Sequence, residues 1–348
     1  MVRMPRGTLF ADETFLRLQV CFASRCVNGT NGALGEVKEG FPVTASYKKV
    51  APYSLVFPDG PHGAFRSGPL VIRETVYGIA KRLRFFISHI EAERNRNCLE
   101  PEQVRALDVG CGTGVNVTIP LANMKYSVVG IDPDPNSISR AQHLSSDLTN
   151  LQFICGMLED QVFREPFHII ICSEVLEHLA SPAKLLWQIK KNLHDKGLLL
   201  LSVPNGFGYF EIESPLWQLI ARSRLLTQTL YSMEYRFWRR FGSPGLLARR
   251  AMEYDSCRYS LTQSTLSTDQ SHFQSLTSSE VSRLLSDQGF RILERRNTTL
   301  LAGNLIGLMV RELDPFLRWN SRAADKFPAL AAAGWLVAAR ANNRSPSH

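Results

Sequence analysis

The chain has 348 residues, with 40 Lys plus Arg against 32 Asp plus Glu and 44% apolar residues. That is the balance of an ordinary globular protein, and it excludes fibrous, collagen-like and wholly disordered classes. The formal net charge of +8 permits attraction to anionic lipid, nucleic acid or an acidic substrate and decides among none of them.

At this length the chain can bury a core without disulfides or a structural metal. Seven cysteines are scattered with no CxxC pair, which argues against a disulfide framework and for a reducing, cytoplasmic setting. Residues 1–15 carry Arg3, Arg6, Asp12 and Glu13 with no apolar run, so they lack the middle region of a secretory signal. The longest nearly uncharged apolar stretch, Phe327 to Ala339, contains Pro328 and falls short of the roughly 20 residues that a membrane-spanning helix needs.

In chain order, residues 1–67 are broken by many Gly and Pro and read as an accessory or poorly ordered extension. One domain is expected over 68–340, and a tail over 341–348. Val76, Ile79, Ala80, Leu83, Phe86, Ile87 and Ile90 recur at helical steps, predicting a helix whose other face is basic. Val104 to Val109 reads as a buried strand entering the cluster Gly110, Gly112, Gly114. Strand and helix patterns then alternate: a strand over Ser127–Ile131, a helix over Asn136–Leu144, and strands over Leu151–Cys155 and His168–Cys172. A helix opened by Ser181 and Pro182 and stopped by Gly197 follows, and then a strand over Leu198–Val203. Such alternation implies a doubly wound α/β domain around a mostly parallel sheet.

The alternation breaks over 211–273, read as an insertion over one edge of the domain, with Ser256 to Ser279 as loop. The capping pair Thr277 and Glu280 restarts a helix that Gly289 ends. Phe290–Leu293 and Trp335–Ala339 supply two late strands.

The chemistry concentrates in Leu107-Asp108-Val109-Gly110-Cys111-Gly112-Thr113-Gly114, with Asp132 at the end of the next strand. Glycines there let backbone pass close under a ligand, because a Cβ would occupy the ligand's space. Asp132 is placed to accept hydrogen bonds from two ribose hydroxyls. The third glycine comes one residue earlier than in the dinucleotide fingerprint, and an acid precedes the first glycine by two. In these features the sequence resembles the class I S-adenosylmethionine-dependent methyltransferases, whose first motif is an acid followed by G-x-G-x-G.

The resemblance continues in Gly130-Ile131-Asp132-Pro133, Gly156-Met157-Leu158-Glu159-Asp160, Cys172-Ser173-Glu174-Val175-Leu176-Glu177-His178-Leu179 and Ser202-Val203-Pro204-Asn205-Gly206. Its E-V-L-E-H string is most similar to the branch with ubiquinone-biosynthesis O-methyltransferases. The resemblance implies a seven-stranded Rossmann-like fold with S-adenosyl-L-methionine as cofactor. The positions it implies for cofactor binding are Asp108, Gly110, Cys111, Gly112, Gly114, Asp132, Pro133, Met157, Leu158, Glu159, Ser173 and Glu174. Where relatives often place an acid to hold the adenine amino group, this chain has Met157, so Glu159, Asp160 or the backbone of Leu158 takes that part.

The expected reaction is methyl transfer to a hydroxyl of a small-molecule, sugar or lipid-like acceptor, with His178 as general base. Cys111 and Cys172 read as small apolar residues rather than nucleophiles. No His, Cys or carboxylate cluster has metal-site spacing, so no metal is expected. Competing readings are a non-catalytic scaffold of the same fold and an NAD(P)-dependent oxidoreductase. Residues 211–250 hold seven arginines and three glutamates among many aromatics. The pattern suits a lid over an anionic or amphipathic acceptor, a peripheral contact with a membrane surface, or a packed cap. Nucleic acid is disfavoured, since no binding module accompanies the charge.

Overall fold

A computed structural model describes residues 55–56, 70–223, 226, 274–310 and 313–342. All of them belong to the unit Val50–His348. The expected N-terminal extension lies outside the described residues apart from Leu55–Val56 (β1), which pairs in parallel with Leu70–Val71 (β2).

The sheet is built from β3 (Arg105–Val109), β4 (Ser127–Asp132), β5 (Leu151–Cys155), β6 (Phe167–Ser173), β7 (Leu193–Pro204), β8 (Phe290–Asn297) and β9 (Gly334–Ala341). Their order across the sheet is β5-β4-β3-β6-β7-β9-β8. The first five run parallel, while β9 is antiparallel to both its neighbours. The order reverses between β3 and β6, and at such a switch point the loops leave in opposite directions and open a crevice for a ligand.

The apolar runs are continuous because both sheet faces are covered, and the two-residue period sends alternate side chains to different helices. Ala106, Val128, Ile169, Ile171, Leu198, Leu200, Leu336 and Ala338 pack with Leu83, Phe86 and Ile90 of α1 (Ile79–Arg96) and Leu121 of α2 (Thr118–Asn123). Leu107, Val109, Ile170, Cys172, Leu199, Leu201 and Val337 face the other way. They meet Leu186 and Ile189 of α4 (Pro182–Asn192) and Val281 and Leu285 of α6 (Ser278–Asp287). Between them in sequence lie α3 (Pro135–Leu144), capped by Asp134, and α5 (Tyr209–Arg222). The capping box predicted at Thr277 and Glu280 is present, and Gly289 takes φ 74° beyond the end of α6.

Two expectations need correcting. Gly197 does not stop α4, which ends at Asn192; it lies inside β7. Pairing with β6 takes over at Leu193, and the register then jumps from Phe167↔Leu193 to Ile169↔Leu198, so the residues between bulge out. Ser278 and Ser279, expected as loop, form the first turn of α6. Two further helices, α7 (Asn304–Val310) and α8 (Asp314–Ala323), fill the β8–β9 connection, where the patterns above predict no element.

Candidate active site

The glycine turn leaves β3 beside the end of β4. Gly110 and Cys111 both donate their N–H groups to the Ile131 carbonyl, at 2.8 and 3.1 Å. Asp132, the last residue of β4, is then fixed from two sides. Gly112 N–H donates to its Oδ2 at 2.8 Å and Asp134 N–H to its Oδ1 at 2.9 Å. Each carboxylate oxygen keeps a further lone pair for a ligand hydroxyl. Pro133, next in line, is exposed.

Gly110, Gly112 and Gly114 have φ of 72°, 53° and 72°, conformations that side chains rarely adopt. Their surroundings differ. A Cβ on Gly110 would lie 2.4 Å from Val175 Cγ2, and one on Gly114 would lie 2.7 Å from Phe153 Cζ. A Cβ on Gly112 would meet nothing within 4 Å. The outer glycines are therefore demanded by the protein's own packing, whereas Gly112 fronts open space beside the Asp132 carboxylate. This cradle fits a nucleoside whose ribose is held by Asp132.

Asp108 falls on the α2 side of the sheet, is only 3% exposed, and accepts a 2.6 Å hydrogen bond from Thr118 Oγ1. Burial raises its carboxyl to about 7, against the pull of that hydrogen bond. It braces the turn from behind. Burial also pushes the Cys111 and Cys172 thiols up, which keeps both as thiols and leaves neither poised as a nucleophile.

At the end of β5, Leu158 is buried and Met157 exposed. The Glu159 carboxylate pairs with Lys184 of α4, so it is turned toward that helix. At the end of β6, Ser173 and Ser202 share a 2.8 Å hydrogen bond, and Ser202 Oγ donates to Glu174 Oε1 at 2.7 Å. Glu174 holds φ 58°. Glu177 is buried, with no partner for Oε2 among the described residues. Its carboxyl is pushed well up by burial and by the charge of Glu174. His178 closes the same turn, and its Nε2 lies 3.7 Å from Glu177 Oε1.

A cavity of about 110 Å³ lies beyond β6, lined by Tyr77, Arg82, Glu174, Pro204, Phe210, Thr298, Thr299, Ala302, Ala333 and Gly334. The structure thus gathers Gly110, Gly112, Asp132 and Pro133 on one side of the switch point and Glu174 on the other. His178 does not line the cavity. Sequence reasoning missed Tyr77, Arg82, Thr298 and Thr299. The legible signal was Arg82 itself, a charge at helical spacing between apolar Ile79 and Phe86. Of 211–250, the described part is Glu211–Ser223 and Leu226; there α5 exposes Ile212, Leu216 and Leu219, and the rest of the expected lid lies outside the described residues. No group of His, Cys, Asp and Glu among the described residues has the geometry to hold a metal ion.

A family model described as a methyltransferase domain matches residues 79–295. The ubiquinone biosynthesis O-methyltransferase of Schizosaccharomyces pombe, a mitochondrial protein, is 33% identical over 116 residues, which cover 32% of this chain and 41% of that one. The enzyme of the same description from Nitrobacter winogradskyi is 33% identical over 113 residues, 32% of this chain and 42% of that one. The chain thus matches about two fifths of the length of these curated relatives. A solved Rickettsia typhi protein, PKMT2 in complex with AdoHcy, aligns with TM-score 0.41 and 16% identity over 71% of this chain and 50% of that chain.

Proposed function

The chain belongs to the family of class I S-adenosylmethionine-dependent methyltransferases, and from that premise we propose that it methylates a hydroxyl oxygen of a small-molecule, sugar or lipid-like acceptor. The observation that carries the methyl-transfer reading is the Gly112 opening beside the doubly anchored Asp132 carboxylate. A bound sulfonium cofactor supplies an electrophilic methyl carbon, so the chain has mainly to position an acceptor and keep water away. In this reading Asp132 accepts from the ribose hydroxyls, and the backbone of the 110–114 turn runs beneath the nucleoside. The acceptor enters beyond the end of β6, beside the turn that His178 closes.

Support for oxygen as the acceptor atom comes from the O-methyltransferase relatives, which share roughly a third of this chain, and from the E-V-L-E-H turn. His178 is the base we assign to the acceptor hydroxyl. It ends the turn that follows β6 and retains 27% side-chain exposure. It can reach solvent or substrate, and a neutral imidazole nitrogen can accept a hydroxyl proton.

Asp132→Ala is expected to weaken S-adenosylhomocysteine binding by about 1 to 3 kcal/mol, through loss of charge-assisted hydrogen bonds. Calorimetry that found unchanged affinity would move the ribose elsewhere. His178→Ala is expected to abolish turnover while keeping the wild-type affinity for S-adenosylhomocysteine; a normal rate would remove the base assignment. Activity is read by incubating the protein and a deuteriomethyl-labelled cofactor with cell extract. Mass spectrometry then looks for an ether that has gained one labelled methyl, and a labelled amine or carbon product would overturn the oxygen assignment.

A further inference from the structure

We infer that an apolar rim at the ligand end of the sheet, made by the turn after β7, α5 and the turn before β9, docks on the surface of an anionic lipid bilayer. The contact goes beyond methyl transfer and holds with or without it. Pro204 pairs with Gly334 and Asn297 with Trp335, so the chain leaving β7, the chain leaving β8 and the chain entering β9 meet at one end. The glycine turn and Asp132 lie at that same end, because β3, β4, β6 and β7 run parallel. No described helix is long and apolar enough to cross a membrane, so the contact is peripheral.

Exposed apolar side chains concentrate on this rim. Phe207, Ile212, Leu216, Leu219, Met309 and Leu330 are each more than half exposed. Ile212, Leu216 and Leu219 follow one another at steps of four and three along α5 and so share a face, and Pro215 is exposed in the same stripe. The other side of that helix is spent on the fold: Glu213 is buried and accepts the N–H groups of Leu305 and Ile306 at the start of α7. A second buried clamp fixes the two turns. Asn205 donates its amide to the Leu330 and Ala332 carbonyls at 3.0 and 2.8 Å and accepts the Phe207 N–H at 3.1 Å. The backbone that carries the apolar tips is therefore set in place before any partner arrives. Exposed apolar surface bordered by polar residues marks a binding or membrane face, and an amphipathic helix laid out this way sinks its apolar side into the headgroup layer.

Charge selects a lipid surface over a second copy of the chain. By sequence, positions 222–250 hold seven arginines against Glu234 alone, with no Lys or Asp, and the whole chain carries +8. Arg322 and Lys326 are exposed in and just after α8, in the β8–β9 connection that also carries Met309 and Leu330. The neighbouring Asp325 is taken by Lys81 at 2.9 Å. A two-fold dimer through this rim would set the patch against its own copy and bring these cations together. An anionic bilayer attracts them instead, most strongly at low salt. A domain seated this way turns its β3/β6 crevice toward the bilayer, so a lipid-like acceptor can enter without crossing water.

The test floats the full chain, with no cofactor present, on vesicles of equimolar phosphatidylglycerol and phosphatidylcholine and on vesicles of phosphatidylcholine alone. The wild type is expected to partition onto the mixed vesicles about tenfold or more strongly than onto the neutral ones. The double variant Leu216→Glu, Leu219→Glu should lose about tenfold or more of that partition. Trp187→Glu, which changes an exposed aromatic on α4, should lose none. Thermal unfolding checks that each variant is folded; if the double variant is not, Leu330→Glu on the turn before β9 decides. A wild type that does not float would overturn the inference, because the face would then be covered by the chain itself. Undiminished flotation of the glutamate variants would overturn it too, leaving plain charge attraction, as would an equal loss in Trp187→Glu. A wild-type dimer that the same glutamates abolish, with flotation unchanged, would assign the rim to a second copy.

Discussion

Gly112→Ala is expected to leave a folded protein that binds S-adenosylhomocysteine at least a hundredfold more weakly. Gly110→Ala, two residues away, is expected to damage the fold itself. Both glycines adopt left-handed backbone, at φ 53° and 72°, so alanine at either position costs roughly 1 to 2 kcal/mol from backbone sterics alone. At position 112 the new methyl meets no protein atom within 4 Å, and stability falls by little more than that. The methyl stands instead in the space beside Asp132 where the ligand must pass. At position 110 the methyl would approach Val175 Cγ2 to 2.4 Å, and overpacking adds about 1 to 3 kcal/mol. Chemical denaturation and calorimetry on both variants separate the two effects. Normal ligand affinity in Gly112→Ala would show that nothing approaches the turn closely there, and the cofactor site would fall with it.

The different fates of these glycines show what a sequence can and cannot disclose. Asp108, the three glycines and Asp132 were legible because each lies at or just past a strand end. The order of strand, turn and strand then dictates which end of the sheet they share. What the sequence could not distinguish was which glycine serves packing and which serves a ligand, since Val175 lies just past β6 and Phe153 in the middle of β5. The cavity beyond β6 was hidden for the same reason. Tyr77, Phe210 and Thr298 meet only because β9 enters antiparallel between β7 and β8, a placement that chain order does not encode. Gly197 misled because glycine after an amphipathic stretch ordinarily ends a helix. Here strand pairing with Phe167 overrode local preference. Asp108 was grouped with the ligand contacts by motif alone, while the pleat turns it toward Thr118 and α2.

That inward turn gives Asp108 a measurable signature, and Asp108→Asn is expected to flatten the dependence of stability on pH. Burial raises the folded-state carboxyl from the usual 3.8 to about 7. Between those values the folded chain keeps a proton that the unfolded chain has released. The group's stabilising contribution is therefore complete below about pH 4 and is lost as pH rises through 7. Glu177, pushed up by burial and then by Glu174, acts with the same sign. The asparagine retains an acceptor for the Thr118 hydroxyl and cannot ionise. The fall in unfolding free energy from pH 5 to pH 8 should thus shrink by about 2 kcal/mol in urea titrations. An unaltered fall would mean that Asp108 is ionised throughout. The charge of Asp132 is one of the causes that raise Asp108, so Asp132→Ala should move the same loss of stability to lower pH. Two variants that differ in cofactor affinity would then be tied together by a titration measured with no cofactor present.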